Sequence, residues 1–171
     1  LLQFLSIGLP AVKFPGGSAR LLGWTEVAEN IAAIEQELLT LQPGGQSAGS
    51  QRFIVTGRDK YFITSKLAYH GTPAFLGAGR SLEATGHHLI GENSLMFAFW
   101  DPAEEYRGAT VIMLARSVHD LTDQQLKPYF ERLSPEIVPF PIYKDNFGLT
   151  QQTIREYYYR VGYGYLPPPK Q

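Results

Sequence analysis

From Trp24 onward the apolar positions first keep a helical spacing and then condense into short solid runs. Between Trp24 and Leu41, Val27, Ile31, Ile34, Leu38 and Leu41 recur every three or four residues, while Glu26, Glu29, Glu35 and Glu37 fill the other sides. That pattern predicts an amphipathic helix, with Thr25 as candidate N-cap and Pro43-Gly44-Gly45 ending it before a polar loop to Ser50. A first strand follows from Arg52 to Thr56, then a helix over about Lys60 to Tyr69 for which Asp59 is a natural cap. His70-Gly71-Thr72-Pro73 closes that helix, and the run Ala74-Phe75-Leu76-Gly77-Ala78-Gly79 predicts a second strand reached by a right-handed crossover. Thr110 to Ala115 predicts a third strand. Between Arg80 and Gly108 the pattern is irregular and aromatic, with Phe97, Phe99 and Trp100, and fits either a long functional loop or a short helix.

Past the third strand, Thr122 and Gln125 have the spacing of a capping box flanked by Leu121 and Leu126, which predicts a third helix. Pro128 lies inside it and implies a kink or a later start. Ile137 to Tyr143 contains Pro139 and Pro141 and belongs at a sheet edge, whereas Thr153 to Val161 alternates tyrosine with charge as a half-exposed strand does. These two form a hairpin about Lys144 to Gly148. The element order therefore predicts an α/β, three-layer fold, with a mostly parallel open sheet and a C-terminal antiparallel hairpin. Residues 1–22 read as a linker, 23–166 as the domain and 167–171 as a Pro-rich tail.

Composition narrows the function. A chain of 171 residues, 44% of them hydrophobic, can bury one sizeable core. A net charge of -1 leaves no basic footprint, so nucleic acid is not an expected partner. The absence of cysteine excludes thiol catalysis, disulfides and cysteine-ligated zinc, but leaves the compartment open. Leu1 to Leu9 is too short to cross a bilayer and fits either the stub of a membrane helix or an edge-packed terminus.

Three arginines, Arg58, Arg80 and Arg116, each follow an apolar run. If the three strands are parallel, their guanidinium groups gather at the carboxyl edge, where open α/β sheets bind ligands and a planar cation suits a phosphate or carboxylate. The plainer reading is that they solvate exposed strand ends. Other motifs are weaker. Gly45-Gln46-Ser47-Ala48-Gly49 matches a nucleophile elbow but stands after a helix, in the wrong order. Gly77, Gly79 and Arg80 begin like a dinucleotide fingerprint, but Leu82 occupies the third glycine position. His87-His88 lack a paired ligand at metal spacing and read as solvated loop histidines. Asp101, Glu104 and Glu105 beside Trp100 fit paired carboxylates or simply the acidic first turn of a helix begun by Asp101-Pro102. Tyr157, Tyr158, Tyr159, Tyr163 and Tyr165 fit a recognition surface or a strand that covers a core. The candidate ligand set read from the residues is Arg58, Asp59, Gly77, Gly79, Arg80 and Arg116, with no catalytic residue, metal or cofactor expected.

Leu22-Gly23-Trp24 ahead of the helix, Asp59-Lys60-Tyr61, Leu67-Ala68-Tyr69-His70-Gly71, Gly79-Arg80, Phe99-Trp100-Asp101, Gly108 before Val111 to Leu114, and the closing Tyr157 to Tyr165 segment stand in a telling order. That order resembles the water-soluble C-terminal region of bacterial glycosyltransferase family 39 proteins, from about Gly23 to Tyr165. Pro128, Pro139 and Pro141 depart from the pattern. The resemblance implies a domain attached to an upstream membrane portion of the same polypeptide, on the extracytoplasmic, periplasmic face. It implies that catalysis belongs to acidic loops of that membrane portion, and that this domain is inert alone. Its arginine edge would then contact the polyprenyl-phosphate-sugar carrier, lipid headgroups or the acceptor, and the resemblance adds Trp100 and Asp101 to that ligand set as further contacts. Two rivals stand beside it: a free-standing nucleotide- or small-anion-binding module, and a protein-interaction domain.

Overall fold

Helix α1 (Trp24–Thr40) lays Trp24, Val27, Ala28 and Ile31 against one face of a sheet, as its spacing predicts. The computed structural model describes residues 23–40, 52–73, 81–145 and 151–169. Strand β1 (Phe53–Gly57) is buried along its whole length and leads into α2 (Phe62–His70). The helix starts later than its pattern predicts, so Tyr61 and not Asp59 takes the N-cap position and gives it no side-chain bond. The Asp59 carboxylate still accepts from the Ile63 backbone N–H at 2.9 Å and satisfies an orphan donor. Gly57 is required here by close approach, because a Cβ would meet the Ile63 Cβ at 2.5 Å. The predicted strand Ala74 to Gly79 lies outside the described residues, and so does the Gly45 to Gly49 motif. Among the described residues, β1 pairs in parallel on one side with β2, the two residues Ala84–Thr85.

Strand β3 (Thr110–Ala115) runs parallel to β1 on its other side, with Gly57 opposite Leu114. The chain between β2 and β3 crosses the opposite sheet face through 3-10 turns at His87–Ile90 and Ala103–Tyr106 and a single turn of helix, α3 (Phe97–Trp100). After β3, a 3-10 turn (Val118–Leu121) and α4 (Asp123–Leu126) precede the 3-10 turn Lys127–Tyr129, so Pro128 confines the predicted third helix to one turn. The capping box does not form. Thr122 donates to the His119 carbonyl instead of capping, and Gln125 is used elsewhere.

The remaining strands are antiparallel: β4 (Phe130–Leu133) and β5 (Val138–Asp145) lie end to end along one side of β6 (Gln151–Tyr165), whose other side pairs with β3. Strand β4 replaces what the sequence suggested was helix. Pro139 and Pro141 sit on β5, which among the described residues pairs only with β6 and so lies at a sheet edge, where proline is tolerated. The result is an α/β fold on an open six-stranded mixed sheet in the order β2-β1-β3-β6-β4, parallel in its first half.

Two apolar cores follow from strand alternation. One face of the sheet sends Val55, Ile112 and Leu114 against α1 and α2, and the other sends Ile54, Val111 and Met113 against Leu89, Ile90, Tyr106, Leu121 and Leu126. Tyr157 and Tyr165 are fully buried in these cores, and Tyr158, Tyr159 and Tyr163 are half-buried.

Candidate functional site

The connection out of β1 leads to β2 on one side, while β3 returns to the other side and the chain continues away from there. The carboxyl ends of β1 and β3 therefore flank a topological switch point, the place where open α/β sheets form a crevice. Arg58 and Arg116 both stand there, and the Arg58 N–H donates to the Leu114 carbonyl at 2.8 Å.

Their side chains part company. Since Gly57 is level with Leu114, Arg58 is level with Ala115 and Arg116 with Asp59, and each step along a strand reverses the face. Arg116 thus joins Asp59, with Nη2 3.5 Å from Oδ2, and lies over the Phe62 ring at 5.4 Å. This pair is partly solvated and contributes little stability.

Arg58 turns to the other face and is buried, its side chain only 4% exposed. Nε donates to the Asp120 carbonyl at 2.9 Å, and Nη2 donates to Gln125 Oε1 at 2.7 Å and stands 3.0 Å from Glu92 Oε1. Nη1 is buried without a hydrogen-bond partner. A buried charged donor left unmatched costs at least about 1–3 kcal/mol, so this nitrogen is the unsaturated point of the edge.

Glu92 reaches Arg58 from a loop that hangs on two buried histidines. Both had read as solvated, but the crossover from β2 folds back over them. His88 Nε2 faces the Asp101 carbonyl at 2.7 Å, which can only accept, so Nε2 carries the proton and Nδ1 accepts from the Ser94 hydroxyl at 2.8 Å. Burial holds this imidazole below its usual value, partly offset by the Asp101 carbonyl. His87 Nε2 faces the Asn93 carbonyl at 2.6 Å, and its Nδ1 stands 3.3 Å from Glu92 Oε2, an ion pair when the ring is protonated. Gly91 ends the 3-10 turn at φ 80°, and Leu95 holds φ 54° a few residues on.

Asp101 accepts from Thr85 Oγ1 at 3.0 Å, at the end of β2. Buried Tyr106 has its phenol pushed up to about 12, first by burial and then by Asp101 and Glu83. Trp100 is 64% exposed and Phe99 79%, and with Leu95 and Met96 they form an apolar cap on the loop. Gly77, Gly79 and Arg80 lie outside the described residues. The edge therefore brings together Arg58 with Glu92, and separately Asp59 with Arg116, while Trp100 and Asp101 belong to the shelf after β2.

Sequence reasoning missed Glu92, Gln125 and Arg160. Gln125 had an alternative role as a capping residue, and Glu92 follows a glycine that gave only a turn signal. Arg160, 6% exposed, lies opposite Met113, and its inward face could have been counted from the strand alternation. Among the described residues no three His, Asp or Glu side chains gather as a metal-ligand set. No described helix is long and apolar enough to cross a membrane. Comparison with known protein families, curated proteins and solved structures finds no match to this chain.

Proposed function

We propose that this domain is a non-catalytic oxyanion-binding module whose ligand group is held by Arg58 at the β1/β3 switch point. Within the resemblance to glycosyltransferase family 39 that group is the phosphate of a polyprenyl carrier. The domain would then serve as the extracytoplasmic accessory part of a polyprenyl-phosphate-sugar glycosyltransferase. One observation carries the reading: a buried guanidinium at the ligand-binding end of the sheet keeps Nη1 without a partner. A planar fork with one free and one exchangeable nitrogen suits two oxygens of a phosphate. The cap of Leu95, Met96, Phe99 and Trp100 supports the same reading, since such side chains settle at the headgroup boundary of a bilayer.

Calorimetric titration with a soluble short-chain polyprenyl phosphate tests it. Saturable binding by the wild type and its loss in Arg58→Lys, which keeps the charge but not the fork, is the expected result. Equal binding by the two chains ends the proposal. The family assignment is tested separately by the gene: several apolar stretches of about 20 residues upstream support it, and a complete reading frame of this size removes it.

A further inference from the structure

We infer that Glu92 is an internal stand-in for the ligand: its carboxylate closes the Arg58 site, and an incoming oxyanion binds by displacing it. The inference rests on the reading of Arg58 as an oxyanion site and adds a regulatory step to it.

The chemistry of the contact comes first. Nε and one direction of Nη2 are committed to fixed acceptors of the fold, the Asp120 carbonyl and Gln125 Oε1. The other charged partner is Glu92 Oε1 at 3.0 Å. Glu92 is a carboxylate, so it presents to the guanidinium the same group that a carboxylate ligand would, and a close analogue of a phosphate edge. It makes a one-oxygen contact only. The second oxygen turns to His87 at 3.3 Å, and Nη1 stays unmatched. A ligand with two oxygens on one atom can satisfy both outer nitrogens, which Glu92 in this position does not.

The mechanics allow the exchange. Arg58 is buried and braced, but the Glu92 side chain is 49% exposed, so leaving Arg58 returns it to water without opening a core. Room exists beside it. An open cavity of about 420 Å³ is lined by Glu92 itself with His88, Asn93, Ala98, Glu104 and Pro168. The loop also has a natural pivot on each side, Gly91 at φ 80° and Leu95 at φ 54°, the latter a conformation that an L-residue holds only under constraint. Glu92 therefore competes for the site as a tethered anion at high local concentration, and the apparent affinity for a free oxyanion is reduced by the fraction of molecules in which the site is closed.

Removing the charge at Glu92 is the test. Inorganic phosphate is titrated by calorimetry into the wild type, Glu92→Gln and Arg58→Lys, with thermal melts confirming that each is folded. A short-chain polyprenyl phosphate in a parallel series distinguishes a lipid-borne phosphate from the free ion. Glu92→Gln is expected to bind phosphate about tenfold more tightly than the wild type. Hydrogen exchange of Gly91 to Leu95 should quicken on phosphate addition in the wild type and be already fast in Glu92→Gln. If the wild type and Glu92→Gln bind equally well while Arg58→Lys does not bind, the displacement idea is overturned and the oxyanion site stands. If neither the wild type nor Glu92→Gln binds either ligand, both fall together.

Discussion

Arg58, just past the carboxyl end of β1, and Arg160, within β6 opposite Met113, have side chains buried to nearly the same degree, yet they are matched differently. Arg160 Nε donates to the Ser134 carbonyl at 2.9 Å, Nη1 to the Leu121 carbonyl at 2.8 Å, and Nη2 meets Asp123 Oδ1 at 2.6 Å. Every nitrogen has a partner, two of them backbone groups that need a donor. Ser134 returns the favour by accepting the Val161 N–H and bridging the gap between β4 and β5. Arg58 has one nitrogen without a partner and one held by a movable carboxylate. The first arrangement fixes a junction of strands, and the second leaves recognition capacity. A buried arginine is thus informative only after its individual nitrogens are counted.

The sharpest way to break this contrast is stability. Arg160→Met should destabilise by about 3 kcal/mol or more in urea unfolding, because the Leu121 and Ser134 carbonyls lose their donor inside the protein. Next comes the shelf that positions Glu92. His88→Gln should cost about 2 kcal/mol near neutral pH, as the Ser94 hydroxyl and Asp101 carbonyl lose well-aligned partners. The same residue sets a pH test. Its folded value lies below the usual one, so the unfolded chain takes up the proton first. Its stabilising contribution is then complete above about pH 6.5 and is lost as pH falls through the lowered folded value. Burial lowers His70 too, so the diagnostic is the difference between wild type and His88→Gln, which should shrink from about pH 7.5 to about pH 5.

Arg58→Met should cost less than Arg160→Met, about 1–2 kcal/mol, since the Asp120 carbonyl and the Gln125 amide oxygen lose their donor but the unmatched charged nitrogen goes with it. A loss as large as that of Arg160→Met would erase the distinction between the two residues. Smallest of all, Phe99→Ser with Trp100→Ser should change stability by less than about 0.5 kcal/mol, as both side chains are exposed. The double variant should nevertheless lose any pelleting with neutral phosphatidylcholine vesicles. Anionic lipid should add nothing, given Glu92, Glu104 and Glu105 in the same stretch.

Much of this fold was legible because local pattern and tertiary demand agree. Thr110 to Ala115 is a solid apolar run and is buried on both faces, so its bounds coincide with the predicted strand. Pro139 and Pro141 announced an edge because a central strand cannot spare their donors. Agreement failed where long-range contacts overrule local signals. The His87-His88 pair looked polar and became buried once the crossover folded back and supplied a carbonyl to each ring. Thr122 and Gln125 had a capping spacing, but the buried charge of Arg58 was the stronger claimant for the glutamine amide oxygen. The divergence of Arg58 and Arg116 depended on inter-strand register, and a shift of one residue reverses a side chain's face. Glu92 escaped notice because its partner is 34 positions away, as residue numbers 58 and 92 show, and charge alone does not announce such a pairing.

The placement of β6 has a consequence for anyone who shortens this protein. It is the last of the described strands, yet β3 finds its second neighbour in it, and among the described residues β4 and β5 find there their only one. A version ending before Gln151 would strip the ladder from Val111 to Ala115, baring a row of unmatched amides and carbonyls along an entirely apolar segment, with two orphaned strands beside it. Such a product should precipitate or pair with its own copies rather than fold. The middle of the molecule can therefore settle only once β6 has been made.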